Sequence, residues 1–280
     1  MSCLFGARLA AVSDVTLLGT WAEGIAAVQE RGIVLERGSA SETVRVSADR
    51  LQSQIATADL VLVLVKTWET KSIASRLPLL LNSGGIALTL QNGLGNIELL
   101  GARACLGVTT QGATLLGPGH VRSGGEGPTH IAAPRWVVEV FQRAGFEAYR
   151  SEAGEIDSLL WGKLAANCGI NPLTALLRVP NGELLDRPNA RALLDAAASE
   201  CAAVAGAKGI VLPFADPALF ARDVARRTAL NKSSMLQDVL RGAPTEVDAI
   251  NGALVQEGKQ LGVPTPVNET LWRLVRAMTD

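Results

Sequence analysis

The feature that most constrains the fold is a change of texture near residue 153. Before it, short aliphatic and β-branched runs alternate with stretches of helical composition. After it, alanine and leucine dominate and helical periodicity holds almost to the end. Strand–helix alternation predicts a parallel, doubly wound sheet, and the second half predicts helices packed on helices. Strands are expected at residues 15–18, 33–36, 43–46, 60–65, 85–90, 105–110 and 147–150, with 33–36 and 43–46 forming a hairpin. The 60–65 run is wholly apolar, as expected of a strand buried on both faces. Helices are expected at 21–31, 69–76, 94–100 and 136–144, then at 155–176, 189–208, 217–227, 247–261 and 269–278. The helix at 69–76 is ended before Pro78, because proline disfavours helix in the residue preceding it. Pro217 suits a first helical position. The boundary divides a domain of residues 1–153 from one of residues 154–280.

Composition removes several functions. The chain is 48% hydrophobic, enough for a large core, and its 26 basic and 27 acidic residues leave no basic field for nucleic acid or an anionic membrane. The 60–65 run is the longest wholly apolar one and is far too short to span a bilayer. No basic region precedes the apolar start, so no signal peptide is read. Cys3, Cys105, Cys168 and Cys201 are widely spaced, which predicts reduced thiols and a cytoplasmic protein. With only His120 and His130, a three-histidine metal site is impossible; both sit in a glycine-rich connection and read as surface or turn residues. Tyr149 has Ala153 four residues on, so no Tyr-x-x-x-Lys pair exists.

The residues that could carry chemistry fall in three places. Two strands end in polar residues, Lys66-Thr-Trp and Gln91-Asn-Gly-Leu-Gly, and open parallel sheets bind ligands beyond the carboxyl ends of their strands. Asn92 offers both a donor and an acceptor, although Asn-Gly is also an ordinary turn. Second, Lys163, Asn167 and Asn171 are spaced i, i+4, i+8, which puts them on one helix face among apolar neighbours. Desolvation would lower the lysine pKa and suit it to donate a proton; against this, the lysine could snorkel to water and the asparagines cap or kink the helix before Pro172. Third, Ser233-Ser234 reads as a helix cap, with Asp238 and Glu246 beyond it, and Asn251-Gly252 reads as packing.

Taken together, these segments resemble ketopantoate reductases over essentially the whole chain. The resemblance is carried by Lys66-Thr-Trp, Gln91-Asn-Gly-Leu-Gly, Gly127-Pro-Thr-His-Ile, Trp161-Gly-Lys-Leu-Ala-Ala-Asn-Cys-Gly-Ile-Asn-Pro-Leu-Thr-Ala, Pro180-Asn-Gly-Glu-Leu, Ser233-Ser-Met-Leu-Gln-Asp and Thr245-Glu-Val-Asp-Ala-Ile-Asn-Gly. It implies a Rossmann-type domain followed by an all-helical one, with the active site in the cleft between. The implied reaction is NADPH-dependent reduction of 2-dehydropantoate to pantoate, in pantothenate and coenzyme A synthesis. On this resemblance Lys163 is the general acid, Asn167 and Asn171 orient the substrate, and Ser234 binds its carboxylate. Asn92 serves nicotinamide and substrate, and Lys66 and Glu246 contact the cofactor. The partners implied are a small 2-oxo acid, with neither nucleic acid nor membrane, and a homodimer is one assembly left open.

Two departures stand out. The family opens with a strand and a Gly-x-Gly-x-x-Gly turn before its first helix; residues 1–10 match only that helix, with Ser2 where the third glycine is expected. The first strand and the glycine-rich phosphate turn are therefore expected to be missing from this sequence, leaving two strand edges exposed. The family also commonly places an arginine for the 2′-phosphate at the position held here by Thr20. Two further readings stay open: a related reductase of another 2-oxo acid, and a cofactor-deficient paralogue or fragment acting as an interaction module.

Overall fold

The computed structural model describes residues 1–279. These form two compact units. The first comprises residues 1–65, 69–90 and 100–152; the second comprises 66–68, 91–99 and the chain from 153 onward. The two excursions at 66–68 and 91–99 thus belong with the helical half, although both follow strands of the first.

The first unit opens with helix α1 (Ser2–Leu9), strand β1 (Thr16–Gly19) and α2 (Ala22–Arg31). Strands β2 (Ile33–Arg37) and β3 (Ala40–Val44) form the expected hairpin, and β4 (Ser47–Arg50) follows. Next come β5 (Ala58–Val63), α3 (Thr70–Leu80) and β6 (Leu81–Thr89), after which the short α4 (Asn96–Leu100) lies, but for its last residue, in the 91–99 excursion of the second unit. The first unit ends with β7 (Ala104–Thr109), β8 (Gly112–Gly117), β9 (His120–Gly125), β10 (Thr129–Ala132), α5 (Arg135–Arg143) and β11 (Ala148–Arg150).

The strands do not make the single parallel sheet expected. They form three: a two-stranded β1–β4 pair, a five-stranded sheet in the order β11-β10-β7-β6-β5, and a four-stranded sheet in the order β3-β2-β9-β8. The five-stranded sheet is mixed, because β10 runs antiparallel to β7. Strand β4 escapes sequence reading because Ser-Ala-Asp-Arg has no β-branched residue; its ladder to β1 makes it a strand. Of the 60–65 run only Val63 is fully buried, so the expectation of burial on both faces fails. The reason is the pairing: β5 has β6 on one edge and no strand on the other among the described residues. Helix α3 also runs through Pro78 rather than stopping before it. Pro78 lies in the last turn on an exposed face, while Ile73, Leu77 and Leu80 are buried and hold the helix to its end. The aromatic core joins α1 to α5: Phe5 stacks on Phe146 at 4.8 Å between ring centroids and meets Phe141 at 5.9 Å. The histidines lie in strands, not turns: His120 pairs with Glu36, and His130 stacks on Tyr149.

The second unit is helical: α6 (Ala153–Leu177), α7 (Pro188–Ala207), α8 (Pro217–Arg227), α9 (Ser234–Leu240), α10 (Ala253–Leu261) and α11 (Pro266–Thr279). Helix α6 is its axis. Trp161, Leu164, Ala165 and Cys168 pack into one apolar cluster, and Ala166, Ile170 and Leu173 into another. A Cβ on Gly169 would come within 2.5 Å of the Leu194 side chain and 3.1 Å of its Cα, so glycine is needed where α6 and α7 cross.

The helix neither stops nor breaks at Pro172. A proline there lacks the N–H that would bond the Cys168 carbonyl. That carbonyl instead accepts from Asn251 Nδ2 at 2.8 Å, which makes Asn251 the packing residue the sequence suggests. Asn251 also donates to Asn268 Oδ1, and Asn268 in turn donates to Ala197 O and Glu200. The residues expected to start a helix at 247 instead make a π-helical turn, Asp248–Gly252, that leads into α10.

Candidate active site

Within 161–175, every residue of α6 is buried except Lys163 and Asn167. They are four apart, and Asn171, buried, lies four further on. The helix is therefore apolar all round except for one polar stripe, which is the geometry expected of residues that face a ligand rather than solvent at large. Burial lowers the Lys163 pKa from its ordinary 10.5 to about 8, with the Glu246 carboxylate pulling it back up.

Glu246 belongs to a buried acidic pair. It is 7% exposed and Asp238, on α9, is 3% exposed. Lys66 bridges them: its Nζ donates to Asp238 Oδ2 at 2.5 Å and to Glu246 Oε2 at 3.4 Å. The backbone N–H of Thr67 donates to Glu246 Oε1 at 3.2 Å. Burial raises the Glu246 pKa, Lys66 and the Thr67 amide oppose that rise, and Asp238 adds to it. Two carboxylates this deep need a cation, and the 66–68 excursion delivers one.

The 91–99 excursion is anchored to the π-helical turn. The Leu94 N–H donates to Ala249 O at 2.9 Å. Gly93, at φ +81°, lets the chains approach: a Cβ there would lie 2.4 Å from Ala249 O. Asn92 is half-buried, and its carbonyl accepts from Asn96 Nδ2 at 3.0 Å, which holds the turn.

Ser233 and Ser234 divide their roles. Ser233 Oγ accepts from the Leu236 N–H at 3.0 Å as the cap of α9 and lies 2.7 Å from Thr174 Oγ1 on α6. Ser234, the first residue of the helix, is half-buried.

The second unit thus holds seven of the eight residues singled out from sequence: Lys66, Asn92, Lys163, Asn167, Asn171, Ser234 and Glu246. Thr20 belongs to the first unit, just after β1, is exposed, and donates to Glu69 Oε1 at 3.1 Å. Sequence reasoning missed Asp238 as the main partner of Lys66, Ala249 as the anchor of the asparagine turn, and Glu69. No spacing signals these pairs, since their partners are distant in sequence. Among the described residues no cluster of histidine, cysteine or acidic residues could hold a metal, and no helix is long and apolar enough to cross a membrane. The four cysteines are free thiols.

Residues 1–136 match the family model for ketopantoate reductase PanE/ApbA, and residues 155–279 match its C-terminal counterpart. The 2-dehydropantoate 2-reductase of Archaeoglobus fulgidus is 40% identical over 81% of this chain and 78% of its own. That of Halobacterium salinarum is 37% identical over 94% of this chain and 90% of its own. Among solved structures, a PanE/ApbA family ketopantoate reductase from Ralstonia eutropha JMP134 aligns with a TM-score of 0.90 at 34% identity, covering 99% of this chain and 94% of that one. A D-mandelate dehydrogenase solved with NADH and anilino(oxo)acetate aligns with a TM-score of 0.93 at 25% identity, covering the same shares.

Proposed function

The chain belongs to the ketopantoate reductase PanE/ApbA family of oxidoreductases, and from that premise we propose that it reduces 2-dehydropantoate to pantoate with a reduced nicotinamide dinucleotide. The observation that carries the reading is the polar stripe of α6, with an amine of pKa about 8 in the otherwise buried stretch 161–175.

The reaction adds a hydride to a ketone carbon and a proton to its oxygen. The dinucleotide supplies the hydride when bound. Lys163 supplies the proton. With a pKa of about 8 it is still largely protonated at neutral pH, yet it gives up its proton far more readily than an ordinary lysine. Asn167 and Asn171, each with donors and an acceptor, orient the 2-oxo acid along the stripe, and Ser234 binds its carboxylate. Asn92 serves both substrate and nicotinamide, and Lys66 with Glu246 contacts the cofactor. Glu246 has a second effect: its carboxylate opposes the lowering of the Lys163 pKa by burial.

The residues present fit a dinucleotide in part. Helix α1 starts without a side-chain cap, so its first backbone N–H groups suit a phosphate. Thr20, with Glu69 beside it, suits a ribose hydroxyl. NADPH is the cofactor that the family resemblance implies, but Thr20 in place of a guanidinium, with the Glu69 carboxylate beside it, makes the chain weakly selective for it over NADH.

A second reading is favoured by the D-mandelate dehydrogenase alignment: a 2-oxo acid with another side chain. Initial rates with 2-dehydropantoate and with phenylglyoxylate, each with NADPH and NADH, decide between them. The proposal expects the larger kcat/KM with 2-dehydropantoate; a larger value with phenylglyoxylate selects the second reading, and turnover of neither removes both. The cellular site proposed is the cytoplasm, where the substrate and the dinucleotide are both at hand.

A further inference from the structure

The carboxyl end of helix α1 gathers charges that the reductase reading does not use. Arg8 is 7% exposed, yet among the described residues no carboxylate lies within hydrogen-bond distance of it. Its guanidinium sits 3.8 Å from the centre of the Phe146 ring, Nη2 donates to Gly145 O, and Nε has no hydrogen-bond partner. Glu126, itself exposed, holds Oε1 3.7 Å from Arg8 Nη1 and 3.7 Å from Arg37 Nη1. A buried cation needs an anion bonded to it; here one carboxylate oxygen is shared by two guanidiniums at a distance that bonds neither. Burial lowers the Arg8 pKa, Glu126 opposes the fall, and Arg37 adds to it.

Beside Arg8 lies a pocket of about 290 Å³. Arg37 and Arg45 line it too, with Glu42 as the acidic lining residue. The rest of the lining is four alanines and Val44, an apolar wall with no side-chain hydrogen bond to offer. The place of Arg37 follows from strand periodicity. Ile33, Leu35 and Arg37 alternate onto one face of β2, and the first two pack with Leu4 and Ala7 of α1. Arg37 is thus a cation on a face that is otherwise apolar. Arg45 follows β3, and its Nη1 donates to Glu30 O at 2.6 Å, which steadies the side chain and leaves its other N–H groups for a ligand. Arg37 pairs with Ala40 at one end of β3 and Arg45 stands past the other, roughly 16 Å away along an extended strand.

We propose that this pocket binds a small oxyanion with two charged groups, a diphosphate or a dicarboxylate, one group held by Arg8 and Arg37 and the other by Arg45. The shared position of Glu126 Oε1 marks where the first group is drawn, and a ligand oxygen inside the pocket bonds what Glu126 only approaches. The separation of Arg37 from Arg45 favours two charged groups over one. Three guanidiniums outweigh Glu42 and the carboxyl end of α1, which carries about half a negative charge. The volume falls just below the roughly 300 Å³ at which pockets for larger organic ligands begin, so a whole dinucleotide does not fit. The backbone N–H groups suited to a dinucleotide phosphate are at the other end of α1, roughly 10 Å along its axis.

Isothermal titration calorimetry of the full chain with pyrophosphate, succinate and inorganic phosphate, at constant ionic strength, tests this. Expected is saturable one-to-one binding of pyrophosphate or succinate, the tighter of the two naming the class, with inorganic phosphate weaker by roughly tenfold. Arg37→Ala and Arg45→Ala each weaken the two-headed anion by roughly tenfold or more, and Glu42→Gln tightens it. Circular dichroism checks that the variants are folded; Arg8 is left in place because it also holds Gly145 and Phe146. Amide hydrogen exchange places the anion: slowing is expected at residues 36–45 and 144–146 and none at residues 2–5. No arm uses the reductase activity, so the result stands whatever the substrate is. Four results overturn the proposal. One is no binding of either two-headed anion. Another is an affinity that survives both arginine substitutions in folded protein. The third is inorganic phosphate binding as tightly as the others, which removes the second charged group. The fourth is slowing confined to residues 2–5, which puts the anion at the other end of α1.

Discussion

The two units satisfy their backbones in different ways. The helical unit closes its interior around α6 and leaves a single polar stripe. When Pro172 strips a partner from the Cys168 carbonyl, Asn251 restores it. The α/β unit divides its strands among three sheets, and residues of β1 and β5 line a cavity of about 1160 Å³. The helical unit also gathers nearly all the candidate chemistry, and it does so by taking in two short excursions, residues 66–68 and 91–99. A helix bonds within itself, so a helical unit can satisfy its backbone from local sequence. A sheet depends on neighbours contributed by distant segments, so its backbone cannot be satisfied from local sequence alone.

The contrast between the units can be broken first at its chemical centre. Lys163→Ala is expected to lower kcat by roughly 10²–10⁴-fold, the range of a general acid. A variant with near-full kcat would show the stripe to be structural. Glu246→Gln comes next: removing the carboxylate that holds the Lys163 pKa up is expected to shift the alkaline limb of the rate profile to lower pH by up to about one unit. An unmoved limb would separate the acidic pair from Lys163. Gly93→Ala should destabilise the anchor of the asparagine turn by about 1–3 kcal/mol, seen as a lowered Tm, since the added Cβ meets Ala249 O at a positive φ. In the α/β unit, amides of β1 and β5 should exchange faster than those of α6, and equal rates would erase the contrast. The smallest effect is Thr20→Arg, which should raise the ratio of NADPH to NADH efficiency by a few fold, because a guanidinium pairs with a 2′-phosphate while Glu69 limits the gain.

Local signals make the helical unit readable. Helix α8 falls at the expected 217–227, started by Pro217 and capped by Asp216, whose side chain accepts from the Leu219 N–H. The spacing of Lys163, Asn167 and Asn171 is enough to specify the polar stripe, because helical periodicity is a property of one segment. What could not be read depends on segments far apart. Strand β4 exists through its ladder to β1, and Asp238 reaches Lys66 only through the fold. The half-buried state of residues 60–62 has the same origin, since their apolar pattern describes a neighbour on each side and the structure provides one. Pro78 and Pro172 show the converse error, in which a local rule is overridden by packing around it.

The central claim is that Lys163 protonates the ketone. The pH dependence of kcat for 2-dehydropantoate reduction tests it most directly. A lysine with its pKa lowered to about 8 is charged below that pH and neutral above it, so turnover should be level up to about pH 8 and then fall as the amine loses its proton. The Lys163→Ala variant should lack that limb. A wild-type rate unchanged through about pH 10, or a limb that persists in the variant, would contradict the account.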